Sequence, residues 1–450
     1  MWLEATIAVT LTAIFFTFRA RSYEQGLLPV IAVSLFNIPV VMFGNSASAG
    51  IFPVDVVFLV FFIRFFFLSK SRIIFSCINT VTAQIFVMLW CWALIRGLLV
   101  LIFDEYEYYD RFVVYGIYRW TFFALIFFAF LQMQRGVTLK SLLMNLSIIL
   151  AVYYVFAIPH QVGLFDLSGW SAISSKNNYD TDYLAGDVYR SFLGNNAATV
   201  GCISVVGILL GVVVRETNKI AGRILVVLAI ASLMGSGSRS DIIALILALI
   251  VWLMAFGRIR HLTNMAEIVL LGSVVMLGFL GMFDVYGLER FLGTDLVGES
   301  AGTSDGTFAY RIFWWREVVS HLGNDFSHLV CGYGPNAFRM MSVYGVAPLS
   351  YGHNLYLHTL GELGLIGILL LLLFVFSAFF NIFFRKRNHQ DRDVRLLIRI
   401  AAFLILQRLF AGLSVDSIFA VDNMIAMSAL VLFIIAAAIS VVKTPLAQRS

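Results

Sequence analysis

Apolar residues in this 450-residue chain come in long unbroken runs separated by short polar breaks. The runs fall near 3–18, 27–43, 51–68, 80–103, 112–131, 141–158, 192–214, 224–235, 241–256, 265–283, 354–384, 396–413 and 418–440. A membrane-crossing helix needs about 20 such residues. The pattern therefore predicts an all-α polytopic membrane protein with about 12–13 transmembrane helices. The runs 3–18, 224–235 and 241–256 are the shortest. Two polar stretches interrupt the series, 159–190 and 284–353. The chain divides accordingly into N-terminal spans (1–158), a polar loop (159–190), central spans (191–283), a large polar loop (284–353) and C-terminal spans (354–450).

Composition agrees with this pattern. Hydrophobic residues make up 60% of the chain and charged residues only 13%, against roughly 25% charged in soluble domains. Four cysteines without a CxxC pair suggest neither a disulfide framework nor a redox motif. The start, Met1-Trp2-Leu3-Glu4, lacks a basic leader, so the first run is expected to stay as a span.

Charge assigns sides to the connections. One alternating set carries Arg19 and Arg21, Lys70 and Arg72, Arg135 and Lys140, Arg215 to Arg223, Arg258 and Arg260, Arg385 to Arg399, and Lys443 with Arg449. That set holds 19 basic residues and five acids. The positive-inside rule makes it cytoplasmic. Both long polar loops then face outward. Arginines within the runs, at 64, 96, 119 and 408, are expected to pair inside the bundle. Gln407-Arg408 lie near Asp416 and Asp422 in sequence. No G-x-x-x-x-G-K-[ST] loop occurs, so nucleotide hydrolysis is not indicated.

Candidate chemistry gathers on the outward segments. Arg239 sits in Gly235-Ser236-Gly237-Ser238-Arg239-Ser240-Asp241, a tight break whose amides can face an anion; a plain hairpin with Arg at the headgroups is the alternative. Arg190 precedes the span at 192. Arg311 begins Arg311-Ile312-Phe313-Trp314-Trp315-Arg316, which read as a helix puts Arg311 and Trp315 on one face and Ile312, Trp315, Val318 and Val319 in an apolar stripe. That helix either lies on the bilayer or holds Arg311 over a site. Gly332-Tyr333-Gly334-Pro335-Asn336 reads as a turn rather than a potassium filter. His353-Asn354 meets a long apolar helix that starts near Asn354 and runs to Phe384. His358 and Glu362 are one turn apart and positioned to pair, and Gly361, Gly364 and Gly367 permit close packing. His353 and His358 are five apart, off a common face, which disfavours a helical zinc pair.

The ordered pattern Arg311, Trp315, Gly332-Tyr333-Gly334, His353-Asn354, Leu357, Leu360-Gly361-Glu362-Leu363-Gly364 and Gly367 resembles the O-antigen ligase and Wzy-type polymerase superfamily. Arg190 to Asn196 and Gly237-Ser238-Arg239 resemble two weaker elements upstream, with Asn195-Asn196 standing where Pro-Asn is usual. The resemblance implies a multi-pass enzyme of the bacterial inner (cytoplasmic) membrane with its site facing the periplasm. It implies a glycan donor linked to undecaprenyl diphosphate, and a glycan or lipid A core as acceptor. Neither a cofactor nor a metal is expected, nor nucleic acid. A chain-length regulator and a flippase are implied as further partners beside membrane lipids. His353 would act as base, and Arg311 and Arg239 would stabilise charge. Arg190, Asn354, Arg316, Tyr333 and Glu362 would bind substrate. Polymerase is the favoured reading, from chain length and the large outer loops; ligase is the alternative. A transporter would instead show flux without a glycan product. A scaffold would tolerate replacement of His353 and Arg311.

Overall fold

The computed structural model describes residues 2–43, 46–68, 80–103, 110–132, 139–162, 164, 192–193, 197–256, 308–336, 354–384, 392–413 and 425–442. The expected span at 265–283 lies outside the described residues, as do Arg190 and His353.

The order is α1 (Trp2–Arg19), α2 (Tyr23–Ser34), β1 (Val41–Phe43), β2 (Ser46–Ile51) and α3 (Pro53–Phe62), which continues as a wider π turn over Ile63–Leu68. Then come α4 (Val81–Phe103), α5 (Asp110–Leu131), α6 (Leu139–Gln161), α7 (Ala197–Thr217), α8 (Lys219–Ser236) and α9 (Arg239–Phe256). The last described elements are α10 (Phe308–Asn324), α11 (Phe326–Cys331), α12 (Leu355–Phe384), α13 (Arg392–Ala411) and α14 (Ile425–Val442). Among the described residues six helices are long and apolar enough to cross a membrane. Helices form because backbone groups in lipid must be satisfied within their own segment.

One expected span departs from the pattern. The run 27–43 does not continue as a helix past Ser34. Pro39 removes a donor and restricts the residue before it. The Asn37 amide instead donates to the Leu193 carbonyl at 2.9 Å, and residues 41–43 pair antiparallel with 46–51 in a small hairpin.

Buried phenylalanines fill the bundle. Phe86 lies against Phe127 and Phe374 at 4.4 and 5.0 Å, tying α4 to α5 and α12. Phe130 meets Phe433 edge-on at 5.0 Å, which joins α5 to α14. α7 and α8 form a tight hairpin whose turn is capped by Asn218, its side chain accepting from the Ala221 amide.

Of the arginines expected to pair within the bundle, Arg119 and Arg408 meet carboxylates, and Arg64 and Arg96 donate to backbone carbonyls. Arg119 donates to Asp55 at 2.7 Å and to the Gly50 carbonyl at 2.7 Å, with its guanidinium over the rings of Phe52, Tyr115 and Tyr118. Arg408 pairs with Asp241, which lies on α9. Arg64 donates to the Ala20 carbonyl.

Candidate functional site

The motif-bearing segments converge on one end of the bundle. Gln161, at the end of α6, donates to the Ser232 carbonyl near the end of α8. Leu193, just before α7, accepts from Asn37. A Cβ on Gly201 of α7 would meet Ser238 and Asp241 within 3 Å. The Leu355 amide donates to the Gly412 carbonyl at 2.8 Å, and Asn354 Nδ2 to the Leu413 carbonyl at 3.0 Å. Pro335 sits against Gly97 of α4 and Gly116 of α5. The 235–241 break, the start of α7, the Asn354 cap and the Gly332–Asn336 turn thus lie at the same end of the bundle, although they are far apart in sequence.

The break at 235–241 is built as a hinge between two helices. α8 ends at Ser236, and Gly237 takes a left-handed conformation (φ 60°). Ser238 then starts α9: its carbonyl accepts from the Ile242 amide, and its hydroxyl donates to Asp241 Oδ2 at 2.7 Å. Arg239 is the first residue of α9, and the structure gives its backbone position. Asp241, two residues on, also receives Arg408 and, at 3.3 Å, Gln407. A buried ion pair therefore anchors the first turn of α9, which Arg239 begins.

Arg311 lies in the first turn of α10, again placed by its backbone. Trp315 follows one turn later, as the i,i+4 spacing predicts. Only part of the apolar stripe is buried against protein. Val319 is 52% exposed, and the buried face is Val318 with Leu322, packed on Leu329, Tyr333 and Leu360. The helix rotates to follow the partner it packs on, α11 and the start of α12. Arg316 is exposed on α10.

α11 carries a pair that the motif pattern did not single out. Asp325 caps it, accepting from the Ser327 and His328 amides, while His328 Nδ1 lies 2.6 Å from Asp325 Oδ2. The Ser327 hydroxyl, and after it the His328 imidazole, hold the Asp325 carboxyl well below the usual carboxylate range. The resulting contribution is present above the ordinary pKa of about 3.9 and is lost as the pH falls below it. The His328 ring stacks on Tyr333 at 4.2 Å. Burial, with the Asp325 charge adding to it, raises the Tyr333 phenol above its ordinary value. A D-x-x-H spacing was the available signal, but it is common at ordinary helix starts.

Asn354 does what the expected helix start requires: its Oδ1 accepts from the Tyr356 and Leu357 amides at 3.0 and 3.1 Å. One turn further, His358 Nε2 lies 3.2 Å from Glu362 Oε1, both buried. The next glycine is unexpected. Gly364 has φ 68° and ψ −168°, so α12 is two helices joined at a break. The carbonyls freed there are taken by the turn after α11: the Tyr333 amide donates to Gly361 O at 2.8 Å, and the Gly334 amide to Glu362 O at 2.9 Å. The Gly332-Tyr333-Gly334 motif is thus a backbone clamp. Its amides face protein carbonyls, unlike a potassium filter, whose carbonyls face an ion.

Gly364→Ala is expected to destabilise the protein by about 1–3 kcal/mol from the left-handed backbone alone. A Cβ at this position would also come 2.2 Å from the Val330 carbonyl. Lower thermal stability in detergent, with faster amide exchange at Tyr333 and Gly334, would bear this out; wild-type melting would refute it.

Fold and motif placement together define a multi-pass, all-α membrane protein whose candidate site lies at one end of its bundle. Residues 224–372, from α8 into α12, match the family model described as O-antigen ligase, which supports the resemblance to the O-antigen ligase/Wzy superfamily. That family points to a glycosyl-transferring enzyme. No curated protein matches the chain.

Proposed function

We propose that the protein transfers a glycan from undecaprenyl diphosphate to an acceptor hydroxyl at the periplasmic face of the bacterial inner membrane, as a polymerase of repeat units. The observation that supports this reading is that the 235–241 break, the Gly332–Asn336 turn and the Asn354 cap lie at one bundle end, with α10 packed on that turn through Val318 and Leu322. The alternation of basic connections supports the outward orientation of that end.

In this mechanism the acceptor oxygen forms a bond to the anomeric carbon while the bond from that carbon to the diphosphate oxygen breaks. The electron pair leaves on the diphosphate, and His353 takes the hydroxyl proton. A neutral imidazole near pH 7 suits that step. Arg239, Arg311 and Arg190 hold the diphosphate by forked hydrogen bonds and neutralise its growing charge. Arg316, exposed on α10, is assigned to the approaching glycan. Asn354, which caps α12, orients the base or the acceptor in this mechanism. Glu362 and Tyr333 support the site through the pair with His358 and through the clamp.

A ligase performs the same reaction on lipid A core. Glycan profiling of a deletion strain separates the two. A core bearing a single repeat unit means polymerase, and a bare core with full-length chains still on the carrier means ligase. A wild-type profile would remove both.

A further inference from the structure

The break in α12 is held from a third side by α4, a helix outside the family match. Trp92 Nε1 donates to the Leu363 carbonyl at 2.8 Å. Four residues later, on the same face, Arg96 Nε donates to the Gly332 carbonyl at 2.8 Å. Successive carbonyls of the broken helix, at 361, 362 and 363, therefore receive the amides of Tyr333 and Gly334 and the Trp92 indole. A break in a membrane helix normally leaves such carbonyls for an ion or a water-filled cavity. Here protein donors take them. Arg96 is buried, and in a bundle interior a guanidinium is costly unless it is used.

We infer that Trp92 and Arg96 are positioning residues for the transfer reaction. They lock the Gly332–Gly334 clamp against the break at Gly364, and so fix the distance between the Arg311 helix and the His353–Asn354 segment. The linkage is short on both sides. α10 packs directly on Leu329, Tyr333 and Leu360. Asn354 and the clamp sit at the two ends of the same short half-helix, residues 355–363. A shift of the clamp would then move both the helix bearing the diphosphate-binding arginine and the half-helix capped by Asn354, the neighbour in sequence of the proposed base. Displacements near 1 Å cost up to about 100-fold in rate. This inference rests on the glycosyl-transfer reading proposed above.

The test uses purified full-length protein with Trp92→Phe, which keeps an aromatic ring and removes the donor, and Arg96→Met, which keeps a long stem and removes the charge. Amide exchange by mass spectrometry should quicken about tenfold or more over 332–334 and stay unchanged in α14. Turnover of undecaprenyl-diphosphate glycan should fall about 10- to 100-fold in kcat, with the donor KM within about twofold. Arg96→Lys, which retains a donor, should recover part of the rate. Faster exchange with kcat unchanged would overturn the inference, and so would exchange that does not move. Wild-type protein that transfers no glycan would sink the reaction itself, and the exchange data would then still decide whether Trp92 and Arg96 hold the clamp.

Discussion

Arg408→Met is expected to destabilise the protein by about 3–5 kcal/mol, the cost of leaving one partner of a buried ion pair uncompensated. Arg408 is 0% exposed and Asp241 1% exposed. The guanidinium also donates to Gln407 Oε1 at 2.6 Å and approaches Met427 Sδ at 3.3 Å. Asp241 in turn holds Ser238, so its network reaches the hinge that starts α9. Removing the arginine strands a carboxylate between α9 and α13, where water does not compensate it. Asp241→Leu alone should cost a similar amount by stranding the cation. The double variant should recover most of the loss, since apolar pairs often replace buried ion pairs without penalty. Thermal unfolding of the three variants in one detergent measures this as a double-mutant cycle. Additive losses, or wild-type melting of Arg408→Met, would show that the pair is not coupled as its contacts indicate.

His353→Ala and Arg311→Ala carry the largest expected effects on activity. Loss of a general base costs about 10²–10⁴ in rate, and loss of one electrostatic stabiliser about 10²–10³. In the proposed mechanism both act on charge that develops in the transition state, so kcat should fall more than donor KM rises. Arg311→Lys should sit between wild type and Ala, because an ammonium keeps the charge and loses the forked hydrogen bonds. Steady-state turnover on lipid-linked glycan reads all three. Full turnover by His353→Ala would remove the base from the mechanism and reopen the transporter and scaffold readings. A fall confined to KM for Arg311→Ala would make it a ground-state binding residue.

Much of the architecture was legible as local pattern. The runs 80–103, 112–131, 141–158 and 354–384 reappear as helices with ends within a few residues. In lipid a helix answers its own hydrogen bonds, and its length follows from bilayer thickness. The Asn354 cap, the Gly235–Asp241 break and the Pro335–Asn336 turn were likewise readable, because caps and turns depend on a handful of adjacent residues. The run 27–43 misled because hydropathy does not register the backbone donor that Pro39 lacks.

What the chain determined alone was therefore the set of membrane helices, their polar breaks and the order of the motif residues. Tertiary structure decided which of these meet. That Arg408 would face Asp241, 167 positions away, follows from α13 packing on α9. Arg119 found Asp55 in the same way, through the meeting of α3 and α5. Gly364 could have packed within a straight helix. It opens the helix because the turn after α11 delivers two amides and α4 an indole to the carbonyls released. Hydrophobic periodicity is a property of neighbouring residues. A buried charge or a freed carbonyl is satisfied by whichever partner the packing of distant helices brings within about 3 Å.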